Sequence, residues 1–116
     1  MINNNMALAK AFYTAMGEKG ITYIGEHVHP KIEFVSPLGN ALGKEAYLKS
    51  VEHFLTLLQS LKIRTICGAD EHVVLVYDVH FPGQLGTVPT ASLMSFRDGL
   101  ITRIELFYDA RPFEKK

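Results

Sequence analysis

At 116 residues the chain has room for one domain and one hydrophobic core. A 47% apolar share supports a packed globule and excludes wholesale disorder, and twelve basic residues against twelve acidic ones leave no net charge, which argues against a nucleic-acid partner. No stretch approaches the ~20 apolar residues that span a bilayer, so no membrane partner is expected. Met1-Ile2-Asn3-Asn4-Asn5 lacks the basic start and apolar run of a signal peptide. The single cysteine, Cys67, has no partner for an internal disulfide. A reducing cytoplasm is therefore the expected compartment.

The first helix is expected after Asn3-Asn4-Asn5, since Asn is a good N-cap. Leu8, Ala11, Phe12, Ala15 and Met16 recur at helical spacing, and Gly17 and Gly20 bracket the end. A short second helix carries Ile21, Ile24 and Val28 and stops at Pro30. Lys31 to Val35 alternates as a strand, and Ser36-Pro37-Leu38-Gly39-Asn40 reads as a turn. A long helix is predicted from Lys44 to Leu61, with Leu48, Val51, Phe54, Leu55, Leu58 and Leu61 as its buried stripe. The rest is β: Ile63–Ile66, Val73–Phe81, then Ala91–Phe96 and Ile101–Tyr108 joined at Asp98-Gly99, a strong two-residue turn signal. The long second run, Val73–Phe81, is apolar on both sides until Asp78 and His80, so cover on both faces is expected. The order α-α-β-α-β-β-β-β makes a single α+β domain over residues 1–116, with 1–4 and 114–116 fraying.

Strand faces follow from the turn. With Asp98 and Gly99 central, Phe96 faces Ile101, Met94 faces Arg103 and Ser92 faces Glu105. One face then carries Ser92, Met94, Phe96, Ile101, Arg103, Glu105 and Phe107. The other carries Ala91, Leu93, Ser95, Thr102, Ile104, Leu106 and Tyr108, and its more apolar character puts it in the core on pattern alone. Val74, Val76, Asp78 and His80 share one side of the preceding strand. A carboxylate beside an imidazole can orient the ring and raise its pKa, so Asp78 and His80 are candidate acid–base groups, with a solvated ion pair as the competing reading.

The helical start, Ile32-Glu33-Phe34-Val35-Ser36-Pro37-Leu38-Gly39, the long helix and the ending Phe96 to Asp109 resemble the SnoaL-like branch of the nuclear transport factor two-like superfamily, which includes ketosteroid isomerases and polyketide cyclases. The resemblance implies a cone. A strongly curved, mostly antiparallel sheet wraps the helices and leaves an open-ended pocket for a small apolar or aromatic molecule, and members commonly form homodimers through the outer sheet face. It implies no cofactor. Where the isomerases place their base, this chain has Ser36. Where they place a helix tyrosine it has Phe12, with Tyr13 rotated about 100° away. Where they place the protonated acid it has Ser92, which is also where the cyclases carry their acidic residue. Steroid isomerase activity is therefore not expected.

The same resemblance turns the Ser92/Met94/Phe96 face toward the pocket, against the pattern-only choice. It brings in Val76, Arg103 and Glu105, with Asp109 from the tail and Phe12 and Ser36 beside them, as ligand contacts. If a reaction occurs, His80 is the expected proton shuttle, Asp78 its orienting partner or a second acid, and Arg103 the binder of an oxyanion or a carboxylate, for proton abstraction next to a carbonyl or addition of water. A structural salt-bridge network among these groups is the competing reading. His27-Val28-His29 is read as two surface histidines rather than a metal site, since residues two apart on a helix diverge. Cys67 is read as a small buried hydrophobe. Two functions stay open: a cyclase-, isomerase- or hydratase-type enzyme, or a noncatalytic ligand-binding or dimerisation domain on the same scaffold.

Overall fold

Helical periodicity in the first segment and strand alternation in the last two are both realised in the computed structural model, which describes residues 4–69 and 71–113. The elements are α1 (Asn4–Gly17), α2 (Ile21–Glu26), β1 (Val28–Ser36), β2 (Gly39–Leu42), α3 (Lys44–Leu57), β3 (Ser60–Ala69), β4 (His72–His80), β5 (Thr87–Arg97) and β6 (Leu100–Tyr108), with 3-10 turns at Gly83–Leu85 and Arg111–Phe113. The expected fraying of 1–3 and 114–116 falls outside the described residues, whereas Asn4 opens α1.

The strands form one sheet in the order β2-β1-β6-β5-β4-β3, antiparallel except for the β1–β6 pair. It is curved but not closed, so β2 and β3 remain edges. The first is only four residues long and the second carries Lys62 and Arg64, two ordinary defences against edge pairing. Helices α1 and α3 lie in the concave side and bury Ala9, Phe12, Tyr13 and Met16 from one, and Tyr47, Val51 and Leu55 from the other. Among the described residues no helix is long and apolar enough to cross a membrane.

Several boundaries differ from the sequence reading. Strand β2 was not expected; it pairs Ser36 with Gly39 and Glu33 with Leu42, so the Ser36–Asn40 turn is a hairpin. Val28 belongs to β1 rather than α2. Pro30 sits where the β1–β6 register jumps between Val28 and Glu33, and an irregular stretch of ladder tolerates a residue that has no N–H. Helix α3 ends at Leu57. Leu58 turns extended, and the Gln59 amide already bonds the His80 carbonyl 2.8 Å away, so the expected last turn of helix starts a strand.

The Asp98-Gly99 turn forms as read, with φ of 53° and 78°, the positive values that a type I′ hairpin requires. Phe96 does face Ile101, but Ser95 then faces Arg103 and Met94 faces Ile104. Thr102 is the extra residue of a β-bulge, and its hydroxyl bonds the Ser95 carbonyl at 3.3 Å. Before the bulge Ile101 points inward; after it Ile104, Leu106 and Tyr108 do, while Arg103 and Glu105 point out. Both face assignments from the sequence are thus half right. The resemblance chose the inner face of β5, and the pattern chose that of β6.

This register makes a direct comparison possible. Ile104 is fully buried, whereas the Arg103 side chain is 40% exposed. Ile104→Ala is expected to cost about 2–5 kcal/mol in urea denaturation, and Arg103→Ala no more than about 1 kcal/mol. Equal losses would mean that the bulge is misplaced.

Candidate functional site

The concave face of the sheet and α3 do not close completely on each other, and a cavity of about 760 Å³ lies between them. Alternation puts Tyr77, Val79 and Phe81 of the β4 segment, Val88 and Thr90 of β5, and Leu106 and Tyr108 of β6 on its wall. Phe34 and Ser36 come from β1, Tyr47 and Phe54 from α3, Tyr13 from α1, and Phe113 from the last turn. No Asp, Glu, Lys or Arg occurs among these described lining residues, and His53, on α3, is the sole imidazole.

Aromatic rings frame the space. Phe34 lies 5.2 Å from Tyr47, and Phe54, Phe81, Phe113 and Tyr108 make successive edge-to-face contacts at 6.0, 5.6 and 5.6 Å. Such packing supplies dispersion and a rigid wall without charge.

The polar feature of the interior is a trio of hydroxyls. Tyr13 Oη and Ser92 Oγ are 2.8 Å apart and buried, and the rings of Tyr13 and Tyr77 lie 4.7 Å apart, tilted by 34°. Burial raises the Tyr13 pKa, opposed by the hydrogen bond with Ser92. Burial also pushes Tyr77 and Tyr47 well above the usual phenol value. Tyr108 is raised as well, again by burial, with Ser36 opposing. At neutral pH all four phenols are protonated donors rather than bases.

The residues singled out in the sequence divide sharply. Ser36 lines the cavity, and Ser92 stands directly behind Tyr13. Phe12, Met94 and Phe96 are core residues that do not reach the cavity wall. Val76, Asp78 and His80 lie on the convex side, because Leu75 and Tyr77 pair with Ser92 and Thr90 and take the inner positions. There Asp78 meets Arg64 at 3.4 Å and His80 Nδ1 meets the Thr87 hydroxyl at 2.7 Å; the two are not partners of each other. Arg103 is also convex and joins Glu33 at 2.8 Å and Glu105 at 3.5 Å. Asp109 is exposed and pairs with Arg111. The expected polar cluster inside the pocket is therefore replaced by separate ion pairs outside it, since alternation and the bulge send those charges to water.

Cys67 is exposed rather than buried, because it stands opposite Val74 on the convex side of an edge strand. His27 Nδ1 meets the Tyr23 carbonyl and His29 Nδ1 accepts the Lys31 amide, so the two rings serve local turns. The sequence reading missed Tyr13, Tyr47, Tyr77, Thr90, Tyr108 and Phe113. For Tyr13 the signal was available: Ala9, Tyr13 and Met16 keep the spacing of one helix face.

Comparison with known proteins fits this geometry. The SnoaL-like domain description matches residues 9–104. The chain belongs to that family. No curated protein matches it. Among solved structures, this SnoaL-like domain resembles a protein from Kribbella flavida (25% identity, 94% of this chain and 89% of that one, TM-score 0.88). It also resembles an NTF2-like protein of unknown function from Cytophaga hutchinsonii (21% identity, 99% and 97% coverage, TM-score 0.83). A third neighbour is TerC, co-crystallised with polyporic acid (23% identity, 97% and 96% coverage, TM-score 0.80).

The buried phenols predict a pH dependence. Their folded pKa values lie above the ordinary value near 10, so the unfolded chain loses these protons first as pH rises. Their stabilising contribution is complete below pH about 10 and is lost above it. Urea midpoints are expected to fall between pH 9.5 and 11.5, by about these pH values, and to fall less in Tyr77→Phe. A midpoint that stays flat in the parent would contradict the burial of the Tyr13, Tyr47 and Tyr77 phenols.

Proposed function

We propose that this SnoaL-like domain binds a small, uncharged, largely apolar molecule in the cavity, with a hydrogen-bond acceptor directed at Tyr13 and Tyr77. The observation that carries this reading is the cavity wall, about 760 Å³ of space bounded mainly by aromatic and aliphatic groups and hydroxyls, with no Asp, Glu, Lys or Arg among the described lining residues. That volume is in the range of small-molecule sites. A carboxylate would find no lysine or arginine among the described lining residues, with His53 the one imidazole, and burying an unpaired charge is costly. Proton bookkeeping supports the acceptor. Tyr13 and Ser92 share one internal hydrogen bond and use one proton in it, and the Tyr77 hydroxyl on the cavity wall keeps its proton for a ligand. The co-crystallisation of TerC, a neighbour of the same fold, with a small molecule is in keeping with this use of the scaffold.

Binding is favoured here over acid–base turnover, because the wall holds no carboxylate and the Asp78 and His80 side chains stand on the opposite side of β4. The cytoplasm is proposed as the compartment, which suits a single exposed thiol at Cys67.

The test uses three naphthalenes of similar size: 2-acetylnaphthalene, 2-ethylnaphthalene and 2-naphthoate at pH 7.5. The ketone is expected to raise the melting temperature most and the carboxylate least. Tyr77→Phe is expected to weaken the ketone by about tenfold, the worth of one hydrogen bond, and leave the hydrocarbon unchanged. Naphthoate binding as tightly as the ketone would contradict the reading.

A second copy of the chain is proposed against the convex face. Val74, Val76 and Leu93 are half-buried there and Phe107 is 50% exposed, with the Arg64–Asp78 and Arg103–Glu33 ion pairs on either side. An apolar centre with a charged rim is the anatomy of an interface. Light scattering at micromolar concentration is expected to give a dimer for the parent and a monomer for Phe107→Asp. A monomeric parent would contradict it.

A further inference from the structure

The chain leaves the sheet at Tyr108, the last residue of β6, which pairs with Thr90. Beyond it, the hydrogen bonds of residues 109–113 with other described residues are local. The Arg111 amide donates to Asp109 Oδ1 at 3.0 Å, and the Phe113 amide donates to the Ala110 carbonyl at 3.0 Å. The Arg111 guanidinium grips the same carboxylate, with Nε at 3.0 and 3.2 Å and Nη2 at 2.7 Å. What ties this segment to the body is the Phe113 ring. It lies edge-to-face on Phe81 and on Tyr108, each at 5.6 Å, and forms part of the cavity wall.

We propose that residues 109–113 are a strap that opens and closes a route into the cavity, with Phe113 as the movable wall and the Asp109–Arg111 pair as the clasp that shapes it. Most of the remaining wall is helix or sheet, and moving it would break ladder or helix hydrogen bonds; Leu38 lies in the β1–β2 turn, which is closed by the Ser36–Gly39 pair. Lifting the strap breaks two ring contacts, and its own bonds travel with it. Segments with few long-range ties open at the low end of the stability range. The clasp acts by population. It holds the turn in the one shape that returns Phe113 to Phe81, and without it the chain after Tyr108 samples other turns. The clasp also persists through the physiological range, since Arg111 holds the Asp109 carboxyl down at about 2. Ligand exchange by this route rests on the binding reading above; strap motion does not, and the experiment separates the two.

The first measurement needs no ligand. Thr90 is 6% exposed and lines the cavity. Thr90→Cys in a Cys67→Ser background is labelled with N-ethylmaleimide and followed by mass spectrometry, with Val88→Cys as a second reporter. Asp109→Ala is expected to speed labelling about fivefold, the equivalent of one exposed ion pair with its turn bond, and Phe113→Ala by about tenfold or more. Arg64→Ala removes an exposed ion pair on the convex side and is expected to leave the rate within about twofold. Asp109→Ala and Phe113→Ala rates within twofold of the parent in both reporters would overturn the strap.

The second measurement follows the uncharged dye N-phenyl-1-naphthylamine by stopped flow. Association and dissociation are both expected to accelerate in Asp109→Ala, with Kd changed less than threefold, as a change in access rather than in affinity requires. Acceleration of dissociation alone would overturn the role in entry. A parent that does not bind the dye would count against the binding reading, and the labelling rates would still decide the strap.

Discussion

One inserted residue governs what the cavity is made of. In a regular ladder a strand alternates without exception, and β6 would then place Ile101 and Arg103 on one side and Ile104 on the other. Thr102 breaks that alternation, so that Ile101 and Ile104 are both inside and both fully buried. Everything beyond follows from it. Leu106 and Tyr108 reach the cavity, and Arg103 and Glu105 reach solvent, where they pair with each other and with Glu33. A bulge also increases local twist, which suits a sheet that must curve around two helices.

The neutral interior is the other side of this arrangement. Charges left on the inner face would need partners in a space walled by Phe34, Phe54, Phe81 and Phe113, and the desolvation cost would exceed what an imperfect pair returns. The interior instead uses hydroxyls, which can satisfy one another. Ser92 and Tyr13 are hydroxyl partners, and no described buried side-chain polar atom lacks a hydrogen-bond partner. A neutral network of this kind tolerates an apolar neighbour. Its phenols stay protonated because burial disfavours the phenolate.

The charges excluded from the interior organise the convex side. Arg64 with Asp78, and Arg103 with Glu33 and Glu105, stand on either flank of a central apolar strip of Val74, Val76, Leu93 and Phe107. Exposed pairs like these add little stability individually. They flank a half-apolar sheet face with solvated charge on either side.

The sequence by itself determined the element types, the α+β class, the Asp98-Gly99 hairpin and the family resemblance, because each depends on local spacing: apolar residues at three and four in α1 and α3, alternation in β4 to β6, and a turn dipeptide that adopts positive φ. It did not determine the wall of the site. Whether Asp78 or Tyr77 faces inward depends on the pairing of β4 with β5, and whether Glu105 or Leu106 does depends on a bulge that leaves no mark in composition. Strand β2 was hidden for a similar reason, since its four residues gain their ladder only from β1. Local propensity sets periods. The phase of each period is set by contacts between residues far apart in the chain, such as Tyr13 with Ser92, and only the packed tertiary structure chooses it.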